Sequence, residues 1–421
     1  MSSVAAPADR IATLDLIRGV AVMGIFSVNV VAFAMIEGAY FNPGAYGGHT
    51  GADLWLWAVN LVLIDGKMRS LFSMLFGASM LLVIDRAEAS GQNAAAVHFR
   101  RMLVLMGFGL VHFYFIWFGD ILFSYGAMGV IAFFFRNRSA RQLGWIGGGL
   151  IIANMILFAA FTLHLREADL LAHSARATAD QIADWNQIGR LLYPLPTDFV
   201  KDLAVYRGGF VGRLTQMVSE RGGEPFGSLP FIGPETLGLM LLGMACFKSG
   251  LFTGVWSDAA YRKIAWVGLV VGAIVFTALA WADVQTRFYV PVVFGGFLML
   301  APFRVQMALG YAALIILLGR RMGPLAQWIA AAGRCAFSNY LGTSIVASFV
   351  FYGWGLGLYG SVSRFEAWLL APVLWLVMLT WSKPWLERFH YGPLEWLWRS
   401  LSRGSLQPMR KGKRAPAVAG A

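Results

Sequence analysis

The sequence predicts an all-α fold, a polytopic integral membrane bundle of about ten transmembrane helices. Hydrophobic residues make up 58% of the 421-residue chain and charged residues only 13%, whereas roughly 25% is charged in a soluble domain. The mean hydropathy is +0.62. Apolar runs of about 17 to 25 residues, long enough to cross a bilayer as helices, recur along the chain without an evident internal repeat.

These apolar runs define the expected spans and their orientation. Basic residues cluster at alternate ends of the runs, whereas the long loop 166–224 holds 7 basic and 8 acidic residues. Because Lys and Arg are enriched in cytoplasmic loops, we expect this loop to be outside and both termini to be cytoplasmic. The expected spans lie near residues 17–36, 68–84, 102–118, 121–135, 142–164, 231–247, 264–282, 300–319, 327–351 and 366–382.

The chain is expected to form a single transmembrane domain over residues 1–406. Its outer loop, 165–230, contains two amphipathic runs, so we expect a small helical lid there. No small-residue cleavage site follows the first apolar run, which is therefore expected to remain as a signal anchor. The tail, 407–421, is basic and rich in small residues, which predicts a disordered cytoplasmic segment held near anionic headgroups.

Charge and cysteine usage argue against several classes of function. The net charge of +12 would suggest nucleic-acid binding in a soluble protein, but here the basic residues follow the membrane topology. The two cysteines, Cys246 and Cys335, are far apart in apolar runs, which favours neither a disulfide framework nor a metal site. No phosphate-binding loop or dinucleotide motif is evident. We therefore expect no nucleic-acid partner and no metal.

The first span carries a polar stripe. At about 100° per residue, the eleven steps from Arg18 to Asn29 bring both side chains to the same helix face. Asp15 lies one turn before Arg18, and the steps from Arg18 to Asn29 climb about 16 Å, half of the hydrocarbon core. The stripe either combines an ion pair with an amide that bonds another helix, or it lines a functional cavity.

The same spacing recurs in the third span. Of the six histidines, His112 alone lies well inside an apolar run, and Arg101 precedes it by eleven residues. If Arg18 and Arg101 both mark the cytoplasmic mouth, Asn29 and His112 lie at one depth, where an amide can orient an imidazole base. We therefore expect these two to hydrogen bond or to share one cavity. The alternative is that Arg101 is an ordinary inner charge and that His112 bonds a backbone carbonyl.

A second candidate base is His49, which lies in the glycine-rich outer loop YGGHTGADL. Asp53 follows one helical turn later, and an aspartate that accepts the proton of the other ring nitrogen raises the basicity of a histidine. The alternative is a histidine that is simply solvated in a loop. His49 and Asp53 together would place the chemistry at the outer surface.

Charged residues between two apolar runs predict an anion site. The segment IDGKMRS contains Asp65, Lys67 and Arg69, and burying all three against lipid would cost on the order of 8 to 10 kcal/mol. They must therefore lie at the interface or line a polar cavity, near the outer boundary. There Lys67 and Arg69 would hold an anionic part of a substrate, with snorkelling anchors as the alternative. Asp120 and Glu235, each near a helix start, complete the expected substrate site.

Five stretches of the chain resemble one family of membrane proteins. They are LDLIRGVAVMGIFSVN near the start, IDGKMRSLFSMLFGA at 64–78, VHFYFIWFGDIL at 111–122, ETLGLMLLGMA at 235–245, and a C-terminal block from GRCAFSNYLGTS through FYGWGLGLYG to FHYGPLEWLWRSLSRG. In these stretches the chain resembles the YeiB-like bacterial inner-membrane proteins, domain of unknown function 418. The resemblance implies a multi-pass protein of the bacterial cytoplasmic (inner) membrane.

This family is in turn similar to transmembrane acyltransferases, which include the acyltransferase-3 enzymes and the lysosomal heparan-glucosaminide acetyltransferases. The first group carries an arginine, ten residues and a histidine in the first span, whereas this chain has Asn29 at the last position. The second group resembles this chain in having asparagine there and a histidine in the following loop, where this chain has His49. The resemblance implies acyl transfer with acyl-CoA as the donor substrate.

The function that we expect is therefore a membrane-bound O- or N-acyltransferase. A cytoplasmic acyl-CoA would approach Arg18 and Arg101, His112 or His49 would remove the acceptor proton, and Asn29 would donate to the thioester oxygen. The acceptor would be a small-molecule or lipid-linked hydroxyl or amine, at mid-membrane or at the outer face. Membrane lipids are the other expected partners, and an oligomer is compatible with the sequence. The opposing hypothesis is a transporter or flippase, although the sequence shows no paired broken helices.

The charge distribution makes a topological prediction. Single cysteines are introduced into a variant that lacks Cys246 and Cys335, and intact cells are treated with a membrane-impermeant maleimide. A cysteine in the 166–224 loop should react directly, whereas one in the tail should react only after permeabilisation, because basic segments stay in the cytoplasm. Labelling of the loop only after permeabilisation would contradict the expected orientation.

Overall fold

The computed structural model describes residues 7–411, with side chains from residue 12 onward. Within this range the chain is helical and forms no named strand. The predicted all-α fold is therefore confirmed. Residues 412–421 of the predicted basic tail lie outside the described residues. The first part of that tail, 407–411, runs beside 388–390, where His390 N donates to Met409 O at 3.0 Å.

Twenty α-helices follow one another along the described residues. The first seven are α1 (Pro7–Ala34), α2 (Gly38–Phe41), α3 (Gly51–Val59), α4 (Lys67–Ala89), α5 (Ala94–Val111), α6 (Leu122–Ala132) and α7 (Ala140–Ala172). Four short helices come next: α8 (Ala179–Gly189), α9 (Pro196–Tyr206), α10 (Phe210–Arg221) and α11 (Glu224–Gly227). The last nine are α12 (Leu229–Lys248), α13 (Asp258–Gln285), α14 (Val290–Met299), α15 (Ala301–Gly319), α16 (Pro324–Arg334), α17 (Ala336–Phe351), α18 (Arg364–Trp368), α19 (Leu370–Arg388) and α20 (Pro393–Arg403).

Three of these helices are extended by irregular turns. π turns, Asn60–Ile64 and His112–Ile116, follow α3 and α5 directly, and a 3-10 turn, Phe133–Phe135, follows α6. π turns are rare and often occur at functional sites. Both π turns here lie close to residues that the sequence marks as candidates for chemistry.

Eight segments of the described range are long and apolar enough to cross a membrane. The chain is thus a multi-pass membrane protein, but the predicted number of ten spans is not confirmed. The predicted span 121–135 corresponds to α6 and its 3-10 turn, which together are shorter than a full span. The predicted span 327–351 is divided at Cys335, which has a non-helical backbone conformation, into α16 and α17.

We name the two ends of the bundle by the residues that they contain. The basic face is the end where α1 begins and α4 ends, with Arg86, Arg100 and Arg403. The lid face is the opposite end, where α1 ends. Residues 179–227, which form α8–α11, are called the lid. They lie within the 165–230 loop, together with the end of α7 and the start of α12.

Helix α1 is the central helix of the bundle. In the most apolar 18-residue stretch of α1, 67% of the residues are buried, whereas only 17% are buried in the corresponding stretch of α7. Glycines allow α16 to approach it closely: a Cβ at Gly333 would lie 1.9 Å from the Asp15 carbonyl oxygen, and one at Gly19 would lie 2.1 Å from that of Ile329. Small residues at such crossings let helix backbones pack tightly in a membrane. The polar stripe of α1 therefore lies within protein.

Two membrane segments are interrupted part-way. The segment from α3 to α4 breaks at Asp65, which is extended, and Gly66, which has φ +71°. The segment from α14 to α15 breaks at Leu300, where Pro302 at the start of α15 lacks a backbone donor. Because a Cβ on Gly24, near the middle of α1, would lie 2.6 Å from Met68 Cγ, the first break lies deep in the bundle. The sequence had suggested a position near the outer boundary.

The lid is attached to the loops that follow α1 and α17. The Tyr206 ring stacks on Tyr359 with centroids 4.5 Å apart, and Arg207 Nε donates to the Tyr359 carbonyl oxygen at 2.7 Å. Arg221 pairs with Glu37, just beyond α1, at 3.1 Å. These contacts hold the lid over the end of α1.

One carboxylate makes the lid sensitive to pH. Burial, together with the neighbouring Glu37 and Asp198 carboxylates, raises the pKa of Asp202 from 3.8 to about 6, and the charges of Lys201 and Arg221 offset this only in part. The folded lid therefore binds the Asp202 proton more tightly than the unfolded segment does. Ionised Asp202 destabilises the closed lid fully above about pH 6, and this destabilisation disappears as the pH falls towards about 4.

Replacing Asp202 with asparagine should remove this dependence. Hydrogen exchange of residues 196–221, corrected for intrinsic rates, should show a wild-type lid that is better protected at pH 5 than at pH 7.5. The lid of Asp202→Asn should be equally protected at both, because an amide does not titrate. Asp184→Asn, at an exposed position of α8, is the matched control and should behave like the wild type. The same pH response in wild type and Asp202→Asn would contradict this account.

Candidate functional site

A polar cavity of about 190 Å³ lies between α1 and the break before α4. We call it the central cavity. Polar side chains from separate segments line it: Asn29, Tyr40, Asp65 and Arg69. The remaining lining residues are apolar or glycine: Ile25, Val28, Phe41, Ile64, Gly66, Met68, Gly119, Ile121 and Phe297. A concave, mostly apolar space with a few convergent polar groups is typical of a ligand site.

The break before α4 brings the charged groups to this cavity. Where the π turn ends, Asp65 N donates to Asn60 O at 2.8 Å. Gly66 then takes a positive φ, which favours glycine. A Cβ on Gly66 would also lie 2.3 Å from Cδ of Arg304. Glycine is therefore needed both for the backbone conformation and for the space that Arg304 occupies.

Glu235 binds two arginines in the interior of the bundle. Its Oε2 atom is 3.0 Å from an Arg69 nitrogen and its Oε1 atom 3.1 Å from an Arg304 nitrogen. The side chains of Glu235 and Arg304 are 6% and 1% exposed, whereas that of Arg69 is 30% exposed and lines the central cavity. Arg304 also donates to the Phe297 carbonyl oxygen. One carboxylate between two guanidinium groups leaves an excess positive charge, and Arg69 presents it to the cavity.

Of the two cations expected to hold a substrate anion, only Arg69 lines the cavity. Lys67 is fully buried, donates from Nζ to the Leu61 carbonyl oxygen at 2.5 Å, and lies 3.2 Å from the centroid of the Phe276 ring. An ammonium group inside the bundle needs such acceptors, and a carbonyl of the π turn supplies one. Lys67 therefore stabilises the turn and does not contact a ligand in the central cavity.

Two polar groups of the central cavity differ in their bonding. Tyr40 donates to Asp65 Oδ1 at 2.8 Å, and burial, together with the Asp65 charge, raises the pKa of Tyr40 well above 10. Asn29 has no hydrogen-bond partner among the described residues, so its amide is available to a ligand. The expected hydrogen bond from Asn29 to His112 is not formed. His112 is not among the residues that line the central cavity, whereas Gly119 and Ile121, on either side of its partner Asp120, are.

His112 forms a buried pair with Asp120. The imidazole Nδ1 and the Asp120 Oδ1 are 2.9 Å apart, with the side chains 0% and 2% exposed. Asp120 Oδ2 also accepts from Phe123 N at 2.8 Å and so caps α6, as the sequence predicts. A Cβ at Gly109, one turn before His112, would lie 2.8 Å from Asp120 Oδ2. Asp120 therefore orients the imidazole and does not face the central cavity.

The other imidazole nitrogen of His112, Nε2, is buried without a hydrogen-bond partner among the described residues. The Tyr340 ring packs on His112 with centroids 5.2 Å apart. Tyr340 Oη lies 3.4 Å from the carbonyl oxygen of Gly119, a lining residue of the central cavity. An imidazole with one nitrogen held by a carboxylate and the other free is the arrangement of a general base.

A second cavity, of about 200 Å³, extends from Tyr340 towards the basic face. We call it the apolar cavity, because most of its lining is apolar. Arg18 and Arg101, which the sequence places at one mouth, both line it. Arg18 donates to Asp15 at 2.6 Å and to Ser79 at 2.7 Å. Its apolar lining includes Phe72, Phe76, Met80, Val83, Met102, Leu105, Leu122, Phe337 and Trp398.

A third space of about 590 Å³, which we call the arginine vestibule, adjoins the apolar cavity at the basic face. Val83 and Arg101 line both spaces. None of the vestibule's lining residues is acidic, and none of its arginines forms an ion pair within the described range. Burial, with the charges of Arg403 and Arg86, lowers the pKa of Arg399. The arginines that line the vestibule are Arg86, Arg100, Arg101, Arg399 and Arg403.

His49 is exposed in the loop before α3, and no hydrogen bond is formed by its ring within the described range. Asp53, its expected partner, instead accepts from Phe365 N at 2.8 Å and so holds the start of α18. A backbone amide at a helix start competes well for a carboxylate. The structure therefore favours the solvated loop histidine over the pair.

Sequence reasoning missed several members of these cavities. Arg304 was recognisable as a lone charge within an apolar run, which is costly unless paired. Tyr340 is one of a few polar groups on an otherwise apolar helix, a pattern that gives no specific signal. The α20 arginines, Arg399 and Arg403, resemble ordinary inner charges in the sequence, and only the packing of α20 beside α5 shows that they share a cavity with Arg101.

The Glu235 pairing predicts a large effect on stability. Glu235→Gln should lower the free energy of unfolding in detergent by about 3–5 kcal/mol, because two buried guanidinium groups lose their counter-charge. The double variant Glu235→Leu with Arg304→Met should recover part of this loss, since it removes both fully buried charges. Glu224→Gln, which breaks an exposed pair with Arg221, should change the free energy by less than about 1 kcal/mol. An unchanged stability of Glu235→Gln would show that the ion pairs are not formed.

Comparison with known proteins gives a family match for the C-terminal region but no activity. Residues 246–405 match the family described as "Protein of unknown function (DUF418)". The "Uncharacterized protein YeiB" of Escherichia coli (strain K12) is 29% identical over 406 residues, 95% of this chain and 98% of the relative. The "Uncharacterized protein YxaH" of Bacillus subtilis (strain 168) is 29% identical over 417 residues, 96% of each chain. No solved structure matches the chain.

These similarities extend beyond the matched C-terminal region. They cover α1, the break before α4 and the lid as well, since the relatives align over nearly the whole chain. The names of the relatives state no activity, so the similarity to acyltransferases stays a prediction. Residues 246–405 thus match DUF418, and along nearly its full length the chain is similar to the YeiB and YxaH proteins.

Proposed function

We propose that the protein is a membrane-bound acyltransferase that moves an acyl group from acyl-CoA to a hydroxyl or amine acceptor. The observation that carries the proposal is the order of the spaces along the bundle. An arginine vestibule adjoins an apolar cavity, which reaches Tyr340, and the Tyr340 ring packs on His112. The hydroxyl of Tyr340 in turn lies near Gly119, which lines the central cavity. With the basic face in the cytoplasm, this order suits a donor from the cytoplasm and an acceptor from the lid face.

The two spaces near the basic face match the two halves of an acyl-CoA. Guanidinium groups bind phosphate oxygens bidentately, and the vestibule offers five arginines and no acidic side chain. The pantetheine and acyl chain are less polar and fit the apolar cavity, with Arg101 at the boundary. The vestibule also faces the surface where anionic lipid headgroups would compete, so donor affinity should fall as salt rises.

The acceptor would bind in the central cavity, beside Arg69 and Asn29. His112 Nε2 takes the proton of the acceptor hydroxyl or amine while its oxygen or nitrogen bonds to the thioester carbonyl carbon. The carbon–sulfur bond then breaks, and the thiolate of CoA takes the proton back from the imidazolium. Asp120 holds Nδ1 and stabilises the imidazolium form. Asn29 donates to the oxyanion that develops on the carbonyl oxygen.

Tyr340 controls whether donor and acceptor can meet. It packs on His112, lines the apolar cavity and lies close to Gly119 of the central cavity. Rotation of this one side chain would connect the two cavities at Nε2 of His112. Before this rotation the Tyr340 side chain separates the two cavities. It would keep acyl-CoA away from water until the acceptor is bound, which prevents hydrolysis of the thioester.

The role of His112 predicts the loss of transfer without the loss of folding. His112→Asn should lower the rate of acyl transfer by at least about 10²-fold, because general-base catalysis contributes that much or more. The assay follows radiolabel from acetyl-CoA into products of a bacterial lipid and metabolite extract, with purified protein in nanodiscs. His164→Asn, at an exposed position of α7, is the matched control and should transfer at the wild-type rate. Full activity of a well-folded His112→Asn would end the proposal.

One observation favours a second function, the transport of a solute without chemistry. Two membrane segments are interrupted, at Gly66 and at Leu300, and cations follow each break. Broken helices with charges near mid-membrane are typical of transporter binding sites. The sequence had shown no such pair, because the apolar runs hide the backbone breaks. Proteoliposomes separate the two functions, since transport would persist in His112→Asn and would yield no acylated product.

A further inference from the structure

We propose that a side pocket of the central cavity binds a primary ammonium group, with the Asp283 carboxylate as its counter-charge. The side pocket has a volume of about 30 Å³. It is continuous in lining with the central cavity, since both include Val28, Tyr40, Phe41, Asp65 and Phe297. Its own residues include Trp57, Asn60, Asp283 and Arg364.

Asp283 is the reason for placing a cation here. Its side chain is 3% exposed, and its Oδ1 atom has no hydrogen-bond partner among the described residues. The Oδ1 atom of Asn60, 8% exposed in the same pocket, is also without a partner there. Two acceptor oxygens buried without a donor are costly. A ligand with several N–H donors would satisfy both.

Other buried carboxylates of this protein have partners of their own. Glu235 binds two arginines, Asp120 binds His112, and Asp65 accepts from Tyr40. Asp283 differs, because no ion pair or hydrogen bond to its carboxylate is formed within residues 12–411. An unpaired buried carboxylate is costly, and a cationic ligand would supply the missing counter-charge.

The walls of the side pocket suit an organic cation. Four aromatic rings, Tyr40, Phe41, Trp57 and Phe297, line it, and aromatic faces attract ammonium groups. The pocket has room for about two water molecules, which is enough for an ammonium head and its first carbon. The rest of the ligand would extend into the central cavity, where Asn29 and Arg69 lie.

Arg364 is the one cation on the pocket wall, and it does not neutralise Asp283. Its guanidinium donates to the Ala39 carbonyl oxygen at 2.5 Å, and no ion pair joins it to Asp283 in the described part of the chain. Asp65, the second carboxylate of the pocket, is engaged by Tyr40. The pocket thus has two carboxylates against one guanidinium, a balance that favours a cation near Asp283.

Binding of the ammonium group is independent of acyl transfer. If the proposed function holds, the pocket anchors an amine-bearing acceptor whose second functional group lies in the central cavity. If it fails, the pocket remains a binding site of the protein. The test therefore uses binding alone and requires no donor.

The experiment measures binding of n-propylammonium chloride to the full-length protein in nanodiscs, by thermal stabilisation and calorimetry at constant ionic strength. Wild type should bind the amine saturably and should not respond to 1-propanol. Asp283→Asn should lower the affinity at least tenfold while the apo protein stays folded or becomes more stable, because an unpaired buried charge is removed. Asp180→Asn, on the exposed surface of the lid, is the matched control and should bind like the wild type.

A second variant keeps the test decisive if Asp283→Asn fails to fold. Asn60→Asp adds a carboxylate to the same pocket and should strengthen propylammonium binding several-fold. Equal binding by wild type and Asp283→Asn, or no gain in Asn60→Asp, would overturn the proposal. So would an equal response to 1-propanol, or saturable stabilisation by sodium ions but not by the amine, which would indicate an inorganic-cation site.

Discussion

The interaction on which the rest of the structure depends is the pairing of Glu235 with Arg69 and Arg304 inside the membrane bundle. Charged groups at this depth are tolerated only when protein groups surround and pair them. Here the three charges come from three helices, α12, α4 and α15. The pairing therefore fixes the positions of these helices relative to one another. It also leaves Arg69 part-exposed to the central cavity, so the same bonds that hold the bundle define its polar site.

The breaks in the helices follow from the same constraint. In a continuous helix from α3 into α4, Lys67 would point about 200° away from Asp65, whereas Arg69 would lie only about 40° from it. The three charges could therefore not all face the interior. The π turn and Gly66 redirect the chain, so that Lys67 finds the Leu61 carbonyl and Asp65 finds Tyr40. The second π turn ends α5 beside Asp120 in a similar way, and it leaves one nitrogen of His112 free. Irregular backbone thus occurs where the chain lines an interior space, as expected in a membrane.

The arrangement of cavities gives the two faces different chemistry. Five arginines at the basic face favour a phosphorylated molecule, whereas the side pocket near the lid face has an unpaired carboxylate and aromatic walls. Tyr340 and His112 lie between the spaces that serve the two faces. A protein that only anchors itself in the membrane needs none of these groups. The proposed acyl transfer requires such an arrangement, with an anionic donor and an amine or alcohol acceptor that arrive from opposite sides.

Much of the fold was predictable because hydropathy and charge bias act on whole segments. The shared face of Arg18 and Asn29 follows from helical periodicity. The placement of Arg18 and Arg101 at one end follows from the bias of basic residues towards the cytoplasm, and both line the apolar cavity. The depth of the break at Asp65 within the bundle was not predictable, because the sequence shows the charges but not the π turn before them. Pairing partners were missed for related reasons. Asp120 meets His112 through the π turn and the loop between them, and Arg304 meets Glu235 at a contact between helices that no local pattern records.

The most direct test of the central claim is a cryo-electron microscopy structure of the protein with a thioether analogue of acyl-CoA. The account predicts that the phosphates lie among the vestibule arginines and that the sulfur lies next to Tyr340, with the acyl chain in the apolar cavity. It also predicts that Arg399→Gln with Arg403→Gln abolishes this density, whereas Arg141→Gln at the same face leaves it unchanged. Density for the analogue at the lid face, or an empty vestibule at a saturating concentration, would contradict the account.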